Sequence, residues 1–321
     1  MPISSSPLFI HIGYPKTAST FFQSEVFPLL TSVNYLNPFI MNSLSKIVWQ
    51  EELSFNQLEI YNSINQHLNP NIPNLISFEL LCGDPNIKSI NNTLIANRLK
   101  KLFPQAIIII VIRNQLSLIE SLYAQKIQSG STKTFEEFIN YKKGYLINSY
   151  NGVDGSVNLE TLHYEKLINY YQNLFGADNI KLLIFEKIHN NLTDFIQDFL
   201  SILKVKKEDL TRYYSLKHVN QSYRYYQILI ARFLNRLVKK PVLKEHGLFP
   251  DILIPKIGRL NSRLIRRILQ SRISFKILKN KPLVIPFHLK QDIKNYYTNS
   301  NLSLDNQYKL NLYKTYRKYY F

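Results

Sequence analysis

The chain has 321 residues, 45% of them hydrophobic, and 40 Lys+Arg against 22 Asp+Glu, a formal net charge of +18 at pH 7. Such length and apolar content exclude a disordered chain and admit one large domain or a domain with an extension. The single cysteine, Cys82, excludes an internal disulfide and a cysteine-built metal cluster, and suits a reducing compartment. The charge is uneven: residues 1–203 carry 14 basic and 16 acidic side chains, residues 204–321 carry 26 and 6. The last third is therefore expected to meet an anionic partner such as a membrane surface, an acidic polymer or nucleic acid. "MPISSSPLFIHIG" has neither a basic start nor a long apolar stretch, so no signal peptide is expected, and no run reaches the ~18 apolar residues of a membrane span.

Along the chain, "PLFIHIG" (7–13) reads as a buried strand ending in glycine, and "ASTFFQSEVFPLL" (18–30) as the helix after it. "NLISFELL" (74–81) is a second buried strand. A helix follows over 89–103, stopped by Pro104. "AIIIIVIR" (106–113) is the strongest strand signal. "LSLIESLYAQKIQSG" (116–130) is an amphipathic helix closed by Gly130. Residues 141–160 are turn-rich and read as a mobile loop. A helix (159–176), a strand (179–186) and a helix (190–205, with Asn or Thr as N-cap) complete the series. Beyond residue 220, basic amphipathic helices replace strands. Strands alternating with helices imply βαβ units, a parallel sheet with helices on both faces.

The stretch "GYPKTAST" (13–20) lies between strand and helix. A loop there presents free main-chain N–H groups at a helix start, a geometry that holds anions. Lys16 adds a cation; Thr17, Ser19 and Thr20 add hydroxyl donors. The glycines of G-x-x-x-x-G-K-[ST] are missing, and "AIIIIVIRN" ends in Arg and Asn where a magnesium-binding strand would end in Asp. The expected ligand is a phosphate ester needing no metal. Helix capping is the plainer reading of these hydroxyls, and a solvated loop position that of Lys16.

The string "GYPKTASTFFQ" resembles the 5′-phosphosulfate loop of sulfotransferases that use 3′-phosphoadenosine 5′-phosphosulfate (PAPS), with Ala18 at the small-residue position. "IIIIVIRNQLSLIES" resembles the family's second motif, Arg113 with Ser121 eight residues on, which binds the 3′-phosphate. The resemblance covers about residues 7–205. It implies a three-layer P-loop-like α/β fold: a PAPS-binding core over 1–220 and a basic, mainly helical extension over 221–321 packed on it. Pro15, Lys16, Thr17, Ala18, Ser19, Thr20, Arg113 and Ser121 would hold the nucleotide, released as 3′-phosphoadenosine 5′-phosphate (PAP). The family's late Arg-Lys-Gly motif is absent; Asn220, Ser222 and Arg224 in "KHVNQSYR" are candidates to replace it. Lys16 would stabilise the leaving phosphate, and Glu79, at the end of the second strand, would be the general base. His163 and His218 are the substitutes for that role. His11 reads as packed, Glu186 as structural.

The loop 141–160 and the tyrosine-rich basic helices are expected to frame the acceptor, a carbohydrate or glycan. The basic third would meet a polyanionic acceptor or the inner membrane face of a cytoplasmic protein, and nucleic acid is the weaker partner. The competing readings are a P-loop kinase or nucleotide triphosphatase, and a non-catalytic polyanion-binding module with a vestigial nucleotide site.

Overall fold

A computed structural model describes residues 6–85, 91–142, 144–146, 156–205, 223–237 and 285–321, with 253–254, 258–259, 269, 281 and 283. The main strands are β1 (Leu8–His11), β2 (Asn34–Tyr35), β3 (Asn74–Ser77), β4 (Ile107–Ile112) and, after the short hairpin β5 (Tyr141–Lys142) and β6 (Tyr145–Leu146), β7 (Ile180–Ile184). The helices are α1 (Ser19–Phe21), α2 (Asn37–Trp49), α3 (Gln57–Asn65), α4 (Asn92–Leu102), α5 (Gln115–Gln128), α6 (Phe135–Phe138), α7 (Tyr164–Phe175), α8 (Lys187–Asn190), α9 (Leu192–Ile202), α10 (Tyr225–Leu237) and α11 (Phe287–Tyr308).

Five strands form one sheet in the order β2-β3-β1-β4-β7, every pair parallel. Parallel strands covered on both faces must be apolar on both, which is why Ile107–Ile112 is a continuous β-branched run. Side chains alternate across the sheet. Ile10, Ile76, Ile108, Ile110 and Ile112 join one cluster with residues of α2, α4, α5, α7 and α11. Phe9, Leu75, Ile109, Val111 and Leu183 join a second with Phe21, Phe22, Phe27 and α9. The result is a three-layer α/β sandwich of P-loop-like topology. From β1 the chain runs to β2 and back to β3 on one side, then crosses to β4 on the other, which opens a crevice at the carboxyl end of β1.

Several elements differ from expectation. The second strand stops at Ser77, and Glu79–Cys82 is a 3-10 turn, although the Phe78 N–H still bonds the His11 carbonyl at 3.0 Å. The helix after β1 widens at Phe22–Val26 into a π-helix, a form frequent at functional sites. Within 141–160, expected to be a mobile loop, the described ends are ordered. Tyr141–Leu146 pairs as a hairpin, and Val157 and Leu159 are buried. The long helix α11 lies in the region read from sequence as a mainly helical extension, although no helix was singled out at 287–308; it packs on α5 and α7 and contributes Leu289, Ile293, Tyr297 and Leu304 to the first cluster.

His11, at the end of β1, is fully buried. It pairs Nδ1 with Ser77 Oγ at 2.7 Å and lies edge-on to Phe199 at 5.1 Å. Burial lowers its pKa from 6.5 to about 3, so the folded ring is neutral while the unfolded one charges below pH 6.5. Its contribution is complete above pH 6.5 and is lost as pH falls towards 3, on the order of a few kcal/mol. Thermal midpoints measured against pH should therefore fall less steeply through that window for His11→Leu than for the natural chain.

Candidate functional site

The crevice is walled by the loop after β1. The main chain turns at Gly13 with φ +68°, and Lys16 (φ 68°) and Ala18 (φ 66°) are also left-handed, the kind of backbone from which anion-binding nests are built. A Cβ on Gly13 would stand 3.1 Å from Glu79 Cα and Cβ and 3.3 Å from Ser19 Oγ, so only glycine lets β1 pass this close to the turn carrying Glu79. Thr17 is buried and its hydroxyl donates to the Tyr14 carbonyl at 2.5 Å, bracing the loop from within. Tyr14 in turn donates to the Thr161 carbonyl at 3.2 Å and meets the Tyr164 ring edge-on at 4.7 Å. Ser19 is 4% exposed and its Oγ has no partner. A buried hydroxyl without a bond is costly, and a ligand oxygen at the crevice would satisfy it. Pro15 and Lys16 are half-buried, and Thr20 is exposed.

Arg113 follows β4 on the other side of β1. Its Nη1 donates to the Lys16 carbonyl at 2.6 Å, its Nε donates to Ser117 Oγ at 3.0 Å, and its guanidinium carbon stands 4.5 Å from the centre of the Phe185 ring. Burial lowers its pKa, an effect opposed by the nearby Glu186 carboxylate. Glu186 does not bond it: its oxygens accept from the Asn114 main-chain N–H and the Tyr320 hydroxyl, both at 2.8 Å. Among the described residues no carboxylate forms an ion pair with Arg113. A guanidinium so held keeps donors for a ligand anion. The neighbouring Asn114 side-chain amide donates to the Tyr319 carbonyl, which ties the chain's last turn to this corner.

On the opposite side, Gln23 Nε2 donates to the Ser77 carbonyl at 2.9 Å and to Glu79 Oε2 at 3.2 Å. Asn37 pins the same strand end: the Ser77 N–H donates to its Oδ1 at 2.9 Å, and its amide donates to the Ser77 carbonyl. The Glu79 carboxylate is thus directed by a fixed amide beside the loop.

The structure brings the Lys16 carbonyl and Arg113 together on one side of the loop after β1, and Ser19 and Glu79 together beside Gly13. It does not join Ser121 to Arg113; Ser117, one turn earlier on α5, takes that bond, and Ser121 is buried further along the helix. Arg224 is exposed just before α10, its main-chain N–H donating to Gln227 Oε1, while Asn220, Ser222 and His218 lie outside the described residues. His163 sits 3.9 Å from both Glu160 and Glu165 and packs on Tyr296 and Tyr297. Glu186 is buried, and burial raises its pKa. Sequence reasoning missed Gln23, Ser117 and Tyr320. Helical spacing is the one signal that points to Gln23, four residues after Ser19. Among the described residues no group of three or more His, Cys, Asp or Glu is placed to hold a metal ion.

No protein-family model matches this chain. No curated protein matches it either. Among solved structures it is similar to a sulfotransferase from Alicyclobacillus acidocaldarius, with 13% identity over 75% of this chain and 97% of that one and a TM-score of 0.44. It is also similar to the mouse sulfotransferase SULT7A1 complexed with PAP, with 12% identity over 97% of this chain and 86% of that one and a TM-score of 0.36.

Tyr320→Phe deletes one donor to the buried Glu186 carboxylate and leaves the ring in place. Urea denaturation should show a loss of about 1–3 kcal/mol, the cost of an unsatisfied buried acceptor.

Proposed function

We propose that this chain is a sulfotransferase that moves a sulfuryl group from PAPS to a hydroxyl of a carbohydrate or glycan. The observation that carries the reading is the hydrogen bond from Arg113 to the Lys16 carbonyl, between residues 97 apart in sequence. It joins the two stretches that resemble the family's nucleotide motifs. The buried, partnerless Ser19 hydroxyl, the left-handed loop and a guanidinium with donors to spare suit a ligand with phosphates at both ends.

Bound there, PAPS supplies an activated sulfuryl group on a phosphate leaving group. Lys16, with the loop N–H groups, stabilises the negative charge that grows on the leaving oxygen. Arg113 holds the phosphate at the other end, with Ser117 and Phe185 fixing its direction. Glu79, aimed by Gln23, takes the proton from the acceptor hydroxyl. Pro15, Thr17, Ala18 and Thr20 shape the loop, and Ser121 and Arg224 are further candidates for nucleotide contact. A kinase or nucleotide triphosphatase would need an acidic magnesium ligand after β4, where this chain has Arg113 and Asn114.

The acceptor side is the hairpin β5–β6, where Tyr145 is 74% exposed and offers a ring face on which a sugar stacks. Residues 1–220, joined by 287–321, form the nucleotide-binding core, and the rest of the basic extension from 221 faces a polyanionic glycan or the inner surface of a membrane. Among the described residues no helix is long and apolar enough to cross a membrane.

Thermal shift tests the ligand. PAP without magnesium should raise the melting temperature, and ATP with magnesium should not; the reverse result would sink the reading. With labelled PAPS and glycan extracts, Glu79→Gln should keep PAP binding and lose roughly 10²–10⁴ in rate. Lys16→Ala should abolish transfer with a modest loss of PAP binding, and Arg113→Ala should weaken binding strongly. A fully active Glu79→Gln chain would remove the base assignment.

A further inference from the structure

The helix α10 is apolar on more than its core-facing side, which packs Ile228 and Ala231 into the core with Ile230, Leu234 and Leu237 against it. The residues it buries include Gln227 and Asn235, while Tyr226 (37% exposed), Leu229 (42%) and Phe233 (62%) face outward. The buried amides are satisfied. Gln227 Nε2 donates to the Leu269 carbonyl at 2.7 Å, and Asn235 Nδ2 donates to the carbonyls of Ile127 at 2.8 Å and Ser131 at 3.0 Å. These bonds fix the helix's rotation, so the outward apolar stripe is imposed by the packing. Positions 226, 229 and 233 fall on one face, and the exposed Arg236 borders it. The helix has two arginines and no acidic residue, within a third of the chain that carries 26 Lys+Arg against 6 Asp+Glu.

We propose that α10 docks on an anionic lipid bilayer, with Tyr226, Leu229 and Phe233 entering the boundary between headgroups and acyl chains and Arg236 at the headgroup level. Apolar and aromatic residues on one face with arginine at its border is the pattern of an interfacial helix. At 13 residues, about 20 Å, α10 lies in the interface and does not span it. A soluble polyanion would be met by cations and gain nothing from Leu229 and Phe233. The inference narrows the membrane reading of the basic third to one helix face and is independent of the reaction assigned to the crevice.

The experiment is co-sedimentation of the full chain with vesicles of phosphatidylcholine alone and of phosphatidylcholine with phosphatidylserine. The natural chain should pellet with the anionic vesicles only, and less at high salt. Leu229→Asn combined with Phe233→Asn should lower the partition coefficient roughly tenfold or more, and Arg236→Gln about fivefold. Circular dichroism and the thermal midpoint check that the variants fold. Should the double variant fold poorly, Phe233→Cys labelled with a polarity-sensitive dye replaces it, the native Cys82 being buried. A blue shift on anionic vesicles supports the docking face, and unchanged emission overturns it. Full binding by a folded double variant overturns the α10 face but leaves the charge-driven membrane reading standing. Failure of the natural chain to bind overturns both and leaves sulfuryl transfer untouched. A dimer that the double variant dissociates assigns the stripe to a second copy and overturns the proposal.

Discussion

The guanidinium of Arg113 is the hub on which the crevice depends. Parallel pairing of β1 with β4, register Phe9↔Ile107 through His11↔Ile109, sets the loop after β1 beside the end of β4. The Arg113 bond to the Lys16 carbonyl then closes the gap between them. A charge-assisted bond of this kind contributes about 1.5–3 kcal/mol, but burial of the cation opposes it. The balance is met by three aligned supports: the Lys16 carbonyl, the Ser117 hydroxyl and the Phe185 ring face. Each is neutral, so the charge itself is left for a ligand. Glu186, whose charge acts on Arg113, has both oxygens engaged elsewhere, by Asn114 and Tyr320. Direct pairing with Arg113 would have consumed the positive charge that the crevice offers.

The other wall follows from the absence of a side chain. Gly13 allows the end of β1 to approach the Glu79 turn to van der Waals distance, and its left-handed φ starts the loop that presents Lys16 and Ser19. The Glu79 carboxylate thus lies beside the loop that carries Lys16 and Ser19. Gln23, donating to Glu79 Oε2 and anchored at the Ser77 carbonyl, gives the carboxylate a fixed direction within that arrangement. The π-helix at Phe22–Val26 carries Gln23, and the wider turn belongs to the same segment that bears this contact.

The sheet was legible because buried parallel strands leave a dense signal. Ile107–Ile112 and Leu8–His11 are apolar on both faces, and the glycine and hydroxyl pattern at 13–20 marks a loop between strand and helix. α11 was illegible for the opposite reason. Its buried stripe is Leu289, Ile293, Tyr297, Ser300, Asn301 and Leu304, correctly spaced for a helix but half polar or aromatic. Ser300 and Asn301 are buried because Glu165 and Gln115 satisfy them, partners 135 and 186 residues away that no local window contains. The same holds for Tyr320, whose bond to Glu186 spans 134 residues. The arginine–serine spacing was legible as a motif, whereas the bond from the guanidinium to Ser117, one turn earlier on the helix, was not, because a sequence interval does not state which turn a side chain reaches.

The basic last third divides into two parts with different physical roles. Residues 287–321 are built into the core. α11 packs on α5 and α7, and the following turns reach Asn114 and Glu186, the residues that flank the Arg113 corner. Part of the positive charge is used internally: Lys294 Nζ donates to the main-chain oxygens of Lys318 and Phe321, holding the last turn against α11. α10 differs, since Gln227 and Asn235 are buried beside Ile228 and Ala231 while Tyr226, Leu229 and Phe233 face out. A helix whose hydrogen bonds force leucine and phenylalanine into solvent bears a cost that burial at a partner surface removes. Charge in the surrounding sequence draws that surface near, and the stripe on α10 supplies the contact that charge alone does not specify.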